Sequence, residues 1–436
     1  MPYKPQIGLP HEKPKLKKAL GLFEVTIYGV GIILGAGIYA LIGEAAAVAG
    51  NALWIAFFVG AVIAAFTGLS YAELGTMYPK EAAEYVYSKK AFNSNLLSFL
   101  VGWLIIFVEI VAAATVALGF GGYFYSLTGF SPILSAIILI GILSFLNFWG
   151  IKESARFNVI FTLIEAAGLI LIIVLGLNYF GSVNYFEAPQ GFSGILMAAI
   201  LVFFAYIGFE DMVNVAEETR KPRKVIPKAL IISLIITTLV YMLVSIASVS
   251  VIPWNELGAS SAPLAAVSEK AWTGSSSLLS IIALFATGNT VLILLIVTSR
   301  MIYGMADKKS LPKYLSKIHL KRRTPYLAIL LSMIVAMLFV LIGNIRTIAE
   351  MTNFGAFLIF LIVNLSLIKL RYKKPRMRRM FKSPINIGRF PVLAGLGVFF
   401  CFIMLLYFGF QIILYLLAVL FAGFIFYKGL NRKKNI

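Results

Sequence analysis

Two stretches of the sequence place glycine beside small and aromatic residues inside long apolar runs. The first extends from Gly29 to Tyr39 and the second from Phe203 to Asp211. A glycine weakens a helix by roughly 1 kcal/mol relative to alanine, and unwound backbone at membrane depth persists only where it lines a cavity or is buried in protein. Both stretches are therefore predicted to be helix breaks. For Gly29 and Gly31, close packing between helices is the alternative.

A helix break exposes backbone groups that bind both charges of a zwitterion. The N–H groups that begin the following half-helix attract an anion, and the carbonyl groups that end the preceding one attract a cation. The predicted anion ligands are the amides of Ala36, Gly37 and Ile38, and the predicted cation ligands are the carbonyl groups near Ile33, Phe204 and Ile207. The α-carboxylate and α-ammonium groups of an amino acid need both kinds of ligand.

Small and aromatic residues surround these backbone groups. Gly35 and Ala205 lie within the breaks and are assigned to the same predicted binding site. Phe203, Phe204 and Tyr206 are candidate walls or lids. Packing against other helices or against lipid is the alternative for each aromatic ring.

Four carboxylates lie well inside the apolar runs, at Glu109, Glu165, Glu210 and Asp211. An ionisable side chain at membrane depth costs several kcal/mol unless it is paired, hydrated or protonated. Glu165 is predicted to carry a coupling proton or to bind sodium, with a static hydrogen bond as the alternative. Glu210 is a candidate gating residue, and Glu109 is a candidate ligand for a cationic side chain.

The elements that position these groups are apolar helices. Sixty per cent of the 436 residues are apolar and 13% are charged, whereas a soluble domain has about a quarter of its residues charged. At about 20 residues per span, the sequence predicts an all-α membrane protein with twelve transmembrane helices. The predicted spans are 20–44, 51–75, 96–124, 132–150, 157–179, 193–217, 228–251, 276–300, 326–343, 351–370, 390–407 and 410–427.

The basic residues alternate with these spans. Cytoplasmic N- and C-termini place 36 of the 38 lysines and arginines on the cytoplasmic side and leave Lys270 and Arg346 outside. This distribution satisfies the positive-inside rule, so the net charge of +20 indicates a multi-pass protein of the cell membrane rather than a nucleic-acid partner. The run from Lys369 to Arg379 is interpreted as membrane-face anchors in contact with anionic lipids.

The two breaks fall in the first and sixth spans, five spans apart. Because five is odd, the second group of five spans enters the membrane from the opposite side, as in transporters with inverted repeats. The predicted units are a tail at 1–19, one repeat at 20–180, a second at 193–372, two further spans at 388–427 and a tail at 428–436.

Several motifs resemble one family in the expected order. They are Ile33-Leu34-Gly35-Ala36-Gly37-Ile38, Phe203-Phe204-Ala205-Tyr206-Ile207-Gly208-Phe209-Glu210, Glu84-Tyr85-Val86-Tyr87, Arg300 to Tyr303, and Thr324-Pro325. The chain resembles the amino acid, polyamine and organocation transporter superfamily, and within it the cationic amino acid transporter-like branch. The resemblance implies a LeuT-type fold of five plus five spans with discontinuous helices 1 and 6, and coupled uptake or exchange of amino acids.

The resemblance also implies site residues and two departures. It assigns carboxylate contacts to Ala36 and Gly37 and ammonium contacts to the carbonyl groups of Ile33, Phe204 and Ile207, in agreement with the reasoning from helix ends. Ala36 stands where relatives often carry Ser or Thr, so one hydroxyl donor is missing. Glu165, nine residues after Arg156, stands where several proton-coupled relatives carry lysine.

The sequence thus predicts a transporter rather than an enzyme. A polyamine or other organic amine transporter and a non-transporting amino acid sensor are the alternatives. No cofactor and no metal are predicted, since the two histidines lie in cytoplasmic segments, Cys401 is the only cysteine and no phosphate-cradling loop is present. The coupling ion is predicted to be a proton, with sodium as the alternative.

Overall fold

A computed structural model describes residues 20–78, 83–149, 154–217, 219–307, 309–322 and 324–432. Within these ranges the chain is helical, apart from the antiparallel pair β1 (Asn386–Ile387) and β2 (Phe390–Pro391) and a single bridge between Leu20 and Thr219. The predicted tail at 1–19 and residues 433–436 lie outside the described residues.

Sixteen α-helices follow one another along the described part of the chain. They are α1 (Leu22–Ile33), α2 (Gly37–Ala49), α3 (Leu53–Met77), α4 (Ala83–Phe92), α5 (Asn95–Thr128), α6 (Pro132–Trp149), α7 (Ser154–Gly176), α8 (Gly191–Val202), α9 (Pro222–Val251), α10 (Trp254–Ala259), α11 (Pro263–Ala271), α12 (Ser276–Asp307), α13 (Tyr326–Val340), α14 (Ile345–Lys373), α15 (Val392–Leu406) and α16 (Phe410–Arg432). Five 3-10 segments join them, at Gly50–Ala52, Leu177–Tyr179, Phe203–Tyr206, Phe209–Glu217 and Lys313–Ser316.

Nine helical stretches among the described residues are long and apolar enough to cross a membrane. One of them, Gly37–Met77, comprises α2, a 3-10 turn and α3. Helices α1, α13 and α15 are also apolar but have only 12, 15 and 15 residues. The all-helical membrane class is therefore confirmed, and the count of twelve spans stays a prediction.

Both predicted helix breaks are present. Helix α1 ends at Ile33 and α2 begins at Gly37, with three residues between them. Helix α8 ends at Val202 and is followed by the two 3-10 segments Phe203–Tyr206 and Phe209–Glu217. Gly208 separates these segments and has φ +115°, a conformation that residues with a Cβ rarely adopt.

The glycines of α1 allow neighbouring segments to approach it closely. A Cβ on Gly29 would lie 2.4 Å from Met212 Sδ, and a Cβ on Gly31 would lie 2.7 Å from Thr162 Cγ2. Helix α1 therefore packs against α7 and against the segment that follows the second break. The packing alternative holds for Gly29 and Gly31.

A buried ion cluster connects α3, α14 and the chain after α14. Arg371 donates to both carboxylate oxygens of Glu73, at 2.7 and 2.5 Å, and Arg379 Nε lies 3.0 Å from Glu73 Oε1. The backbone N–H of Ser383 also donates to Glu73, at 2.8 Å. The interpretation of Lys369 to Arg379 as membrane-face anchors is therefore wrong for Arg371 and Arg379, because both side chains neutralise the buried carboxylate of Glu73.

Candidate functional site

The two breaks contact each other at their glycines. A Cβ on Gly37 would lie 2.6 Å from Ala205 Cα, and a Cβ on Gly208 would lie 2.5 Å from Ile32 Cγ2. Ala36 is fully buried and Ala205 is 3% exposed. The structure thus brings the end of α1, the start of α2 and the middle of the second break together in one buried region.

Tyr241 of α9 bridges the two breaks through its hydroxyl group. The hydroxyl contacts the carbonyl oxygen of Ile33, at the end of α1, and lies 2.9 Å from the carbonyl oxygen of Ala205. A tyrosine hydroxyl has one proton, so it donates to one of the two carbonyls at a time. Each carbonyl also has two lone pairs, which leaves acceptor capacity for an ammonium group at this point.

The anion side of the site differs in one respect from the prediction. The N–H of Ala36 donates to Thr290 Oγ1 of α12, at 3.2 Å, so this amide already has an acceptor. Gly35 allows the approach, since a Cβ on it would lie 3.3 Å from the same oxygen. Gly37 and Ile38 begin α2, and N–H groups in the first helical turn have no acceptor within their own helix. These two amides are the donors that remain for a carboxylate.

Phe203 and Tyr206 hold the second break in place. The Phe203 ring packs 4.4 Å from the Phe357 ring of α14, and the Tyr206 hydroxyl donates to the carbonyl of Phe57 in α3, at 3.0 Å. Both side chains are fully buried. The packing interpretation applies to these two aromatics, and Phe204 remains the candidate wall.

The carbonyl group of Phe204 is already hydrogen-bonded within the break. It accepts the N–H of Ile207 at 3.2 Å, and this short bond closes the turn before Gly208. A second lone pair is left for another donor. The carbonyl groups of Ile33 and Phe204, both predicted cation ligands, therefore each accept one hydrogen bond from within the protein. The carbonyl group of Ala205 shares the hydroxyl of Tyr241 with that of Ile33.

Glu165 of α7 lies beside this hydrogen-bonded group. Its side chain is 1% exposed, and its backbone carbonyl accepts the hydroxyl of Tyr39 at 2.7 Å. Among the described residues, the Glu165 Oε1 atom has no hydrogen-bond partner. The side chain of Arg156 lies outside what the structure describes.

The other predicted carboxylates lie in α5 and at the end of the second break. Glu109 is 7% exposed, and Glu210 and Asp211 are half-buried. Glu210 Oε2 accepts the N–H of Gly208 at 2.9 Å, so Glu210 stabilises the unusual backbone of the break. The Glu109 Oε2 atom has no hydrogen-bond partner in the described ranges of the chain.

Sequence reasoning missed Tyr241 and Thr290. Each is a polar residue inside an apolar helix, and this is the only signal that the sequence offers. Other residues such as Thr287 and Asn289 share that signal. Tyr241 and Thr290 can be distinguished from these residues only by the way α9 and α12 pack against the breaks.

The chain is similar to known transporters along nearly all of its length. A family described as amino acid permease matches residues 20–429. The branched-chain amino acid permease BcaP of Bacillus subtilis (strain 168) is 32% identical over 445 residues, which cover 96% of this chain and 94% of that protein. The methylthioribose transporter of the same organism is 29% identical and covers 89% of this chain and 88% of its own length. Cationic amino acid transporter 4 of Mus musculus is 27% identical and covers 82% of this chain and 60% of its own length.

Proposed function

Because the chain belongs to the amino acid permease family, within the amino acid, polyamine and organocation superfamily, we propose that it carries amino acids by coupled alternating access. It is an integral membrane amino acid transporter and not an enzyme. We further propose a binding site, a coupling residue and a mode of transport for this transporter. The observation that carries it is the contact between Gly37 and Ala205, which joins both breaks beneath the hydroxyl of Tyr241.

In the proposed site the substrate lies between the two breaks. Its carboxylate accepts the N–H groups of Gly37 and Ile38 at the positive end of α2. Its ammonium group, which has three donors, binds the carbonyl oxygens of Ile33 and Ala205 beside Tyr241. The arrangement requires both α-substituents of an amino acid at once.

The proposed fold has twelve spans in a five plus five inverted repeat of the LeuT type. The repeats are residues 20–180 and 193–372, followed by two spans at 388–427. The breaks support this division because they fall in the first span of each repeat. Helices α1 and α2 are then the two halves of the first span, α3 is the second span, and α13 and α15 fit as short spans. The distribution of basic residues supports cytoplasmic termini and contact of the exposed basic residues with anionic lipid.

For the substrate we propose an amino acid with an apolar side chain. Both breaks are surrounded by apolar residues, and the branched-chain permease BcaP matches 96% of this chain. A cationic amino acid is the second candidate, favoured by the buried Oε2 atom of Glu109, which has no hydrogen-bond partner among the described residues.

Glu165 is proposed to be the coupling residue. Burial of a charged carboxylate in a low-dielectric site is unfavourable unless a proton or a cation neutralises the charge. Its backbone carbonyl accepts the hydroxyl of Tyr39 in α2, the half-helix that begins at Gly37. A change in the protonation of Glu165 would therefore act next to the half-helix that supplies the proposed carboxylate donors. Sodium is the alternative ion.

The test is uptake by proteoliposomes of the purified protein. Radiolabelled leucine and arginine are supplied with and without an inward proton gradient, to wild type, Glu165→Gln and the exposed control Glu256→Gln. We expect leucine uptake to be accelerated by the gradient in wild type and control. In Glu165→Gln we expect the acceleration to vanish while leucine exchange persists. A gradient response that survives in Glu165→Gln would contradict the coupling role, and uptake of neither amino acid by wild type would contradict the proposed function.

A further inference from the structure

A cavity of about 310 Å³ lies next to the first break, on the side of the α10 and α11 loop. Its volume is within the range of small-ligand sites, roughly 300–1,000 Å³. Tyr39 and Ala40 line its base, within about one helical turn of Ala36. Segments from α2, α5, the start of α6, the loop 260–263 and the start of α14 form its walls.

Glycines of α5 allow these walls to approach each other. A Cβ on Gly119 would lie 2.7 Å from Ala40 Cβ, and a Cβ on Gly122 would lie 2.3 Å from the carbonyl oxygen of Ser261. The cavity is thus bounded by close backbone contacts rather than by loosely packed side chains.

Two tyrosines separate the cavity from the break. The Tyr123 hydroxyl donates to the carbonyl of Tyr39 at 3.0 Å, and the two rings meet edge to face with centroids 6.4 Å apart. Tyr39 is fully buried and its own hydroxyl donates to the backbone carbonyl of Glu165 at 2.7 Å. The Tyr39–Tyr123 pair therefore forms a hydrogen-bonded floor between the cavity and the proposed substrate site.

Glu44 is the ionisable carboxylate of this cavity. Arg346, which follows the lining residue Ile345 in α14, is bonded to Glu350 at 3.0 Å. Among the described residues, Glu44 itself forms no ion pair. Among the described residues that line the cavity, Glu44 is the one with an ionisable carboxylate, and Ser131, Ser260 and Ser261 line the cavity with it.

We propose that this cavity is a vestibule site that takes the ammonium group of an incoming amino acid on Glu44, before the Tyr39–Tyr123 floor opens. The proposal rests on the proposed function, because it gives the same substrate a first binding position. Attraction by Glu44 raises the local concentration of ammonium compounds at the floor. The chemical class that this site accepts is a primary ammonium compound, and a carboxylate on the ligand is not required there.

The first test measures uptake kinetics in proteoliposomes for wild type, Glu44→Gln, Glu44→Asp and the exposed control Glu256→Gln in the neighbouring α10. We expect Glu44→Gln to raise the KM for uptake about three- to tenfold with the maximal rate unchanged, and to weaken the salt dependence of uptake. Glu44→Asp should recover most of the change, and Glu256→Gln should match wild type. An unchanged KM in Glu44→Gln would overturn the proposal while leaving transport itself established.

The second test reports on occupancy without transport. The chain has one cysteine, Cys401, which is fully buried, so Ser261→Cys supplies a single accessible thiol on the cavity wall. We expect leucine and isopentylamine, which lacks a carboxylate, both to slow its alkylation by a maleimide. The slowing should disappear when Glu44→Gln is added, and Thr273→Cys, exposed and outside the lining, should not respond. Equal alkylation rates with and without both compounds would overturn the site, even if either Glu44 variant failed to fold.

Discussion

Gly37 lies so close to Ala205 that a Cβ on Gly37 would come within 2.6 Å of Ala205 Cα and 3.0 Å of Ala205 Cβ. The close atom is backbone, which moves only with its helix. The contact joins the start of α2 to the middle of the second break, so the two halves of the proposed site have a fixed spacing. Any side chain at position 37 must separate them.

Replacement of Gly37 by alanine is therefore expected to disrupt the site. Overpacking of a close contact costs about 1–3 kcal/mol, which corresponds to a fall in substrate affinity of roughly tenfold or more. The measurement is the initial rate of leucine uptake against concentration. Gly288→Ala is the matched control, since a Cβ there meets nothing within 4 Å. Equal kinetics for the two variants would show that the contact is not part of the site.

Tyr241→Phe is expected to make the protein depend more strongly on substrate for stability. The change leaves the buried carbonyls of Ile33 and Ala205 without their hydroxyl donor, at a cost of about 1–3 kcal/mol. A bound ammonium group replaces that donor. The thermal midpoint should therefore fall without substrate and recover with saturating leucine, by a larger shift than in wild type.

The control for this experiment is Tyr185→Phe. Its hydroxyl bonds Ser250 and the N–H of Gly181, each at 2.7 Å, away from both breaks. We expect its substrate-induced shift to equal that of wild type. If Tyr241→Phe also showed the wild-type shift, Tyr241 would not share its acceptors with the substrate.

Glu73→Gln is expected to destabilise the fold more than any exposed ion-pair variant. Glu73 is fully buried beneath Arg371 and Arg379, and removal of one partner of a buried ion pair costs about 3–5 kcal/mol. Glu350→Gln breaks the half-exposed pair with Arg346 and should cost about 0.3–0.5 kcal/mol. Thermal midpoints in detergent at one scan rate compare the two, and similar midpoints would contradict the structural role of the cluster.

Glu84 is expected to give the protein a pH-dependent stability. It lies in α4, outside the membrane-spanning helices, with 6% of its surface exposed, and Tyr71 donates to its Oε1 atom at 3.0 Å. Burial raises the pKa of Glu84 above its usual range. The folded protein therefore binds this proton more tightly than the unfolded chain does. The free energy of unfolding then falls as pH rises from the unfolded pKa through the folded pKa.

Glu84→Gln should lack this contribution. We expect its thermal midpoint to vary less than that of wild type as the pH rises above the usual pKa of a glutamate, about 4.3. Tyr71→Phe removes the hydroxyl that lowers the pKa of Glu84, so the fall in stability should move to higher pH. An identical pH dependence in wild type and Glu84→Gln would contradict the prediction.

Periodicity and glycine spacing were sufficient to locate both breaks and the helical ranges around them. A helix break is a local property of the chain, so residues such as Gly37 and Gly208 reveal it without a partner. The backbone ligands of the site stay a prediction, which follows from where the helices end. The family resemblance drawn from the motifs is confirmed by the match over residues 20–429.

Side-chain partners from other helices could not be predicted in the same way. Tyr241 and Thr290 are recognisable only once α9 and α12 are placed against the breaks. Glu73 lay within a predicted span, yet its partners Arg371 and Arg379 are about 300 residues away in sequence. The charge pattern alone favoured a surface position for both arginines, since the pattern contains no information on how the chain folds back after α14.

The central claim is that the two breaks bind both charges of one amino acid. Its most direct test is competition with radiolabelled leucine uptake by the Glu44→Gln variant, which lacks the proposed vestibule carboxylate. The competitors are leucine, isopentylamine, which lacks the carboxylate, and 4-methylpentanoate, which lacks the ammonium group. The account predicts that leucine competes strongly and that each analogue, at the same concentration, competes far more weakly. Competition by either analogue at the potency of leucine would contradict recognition of both charges at the breaks.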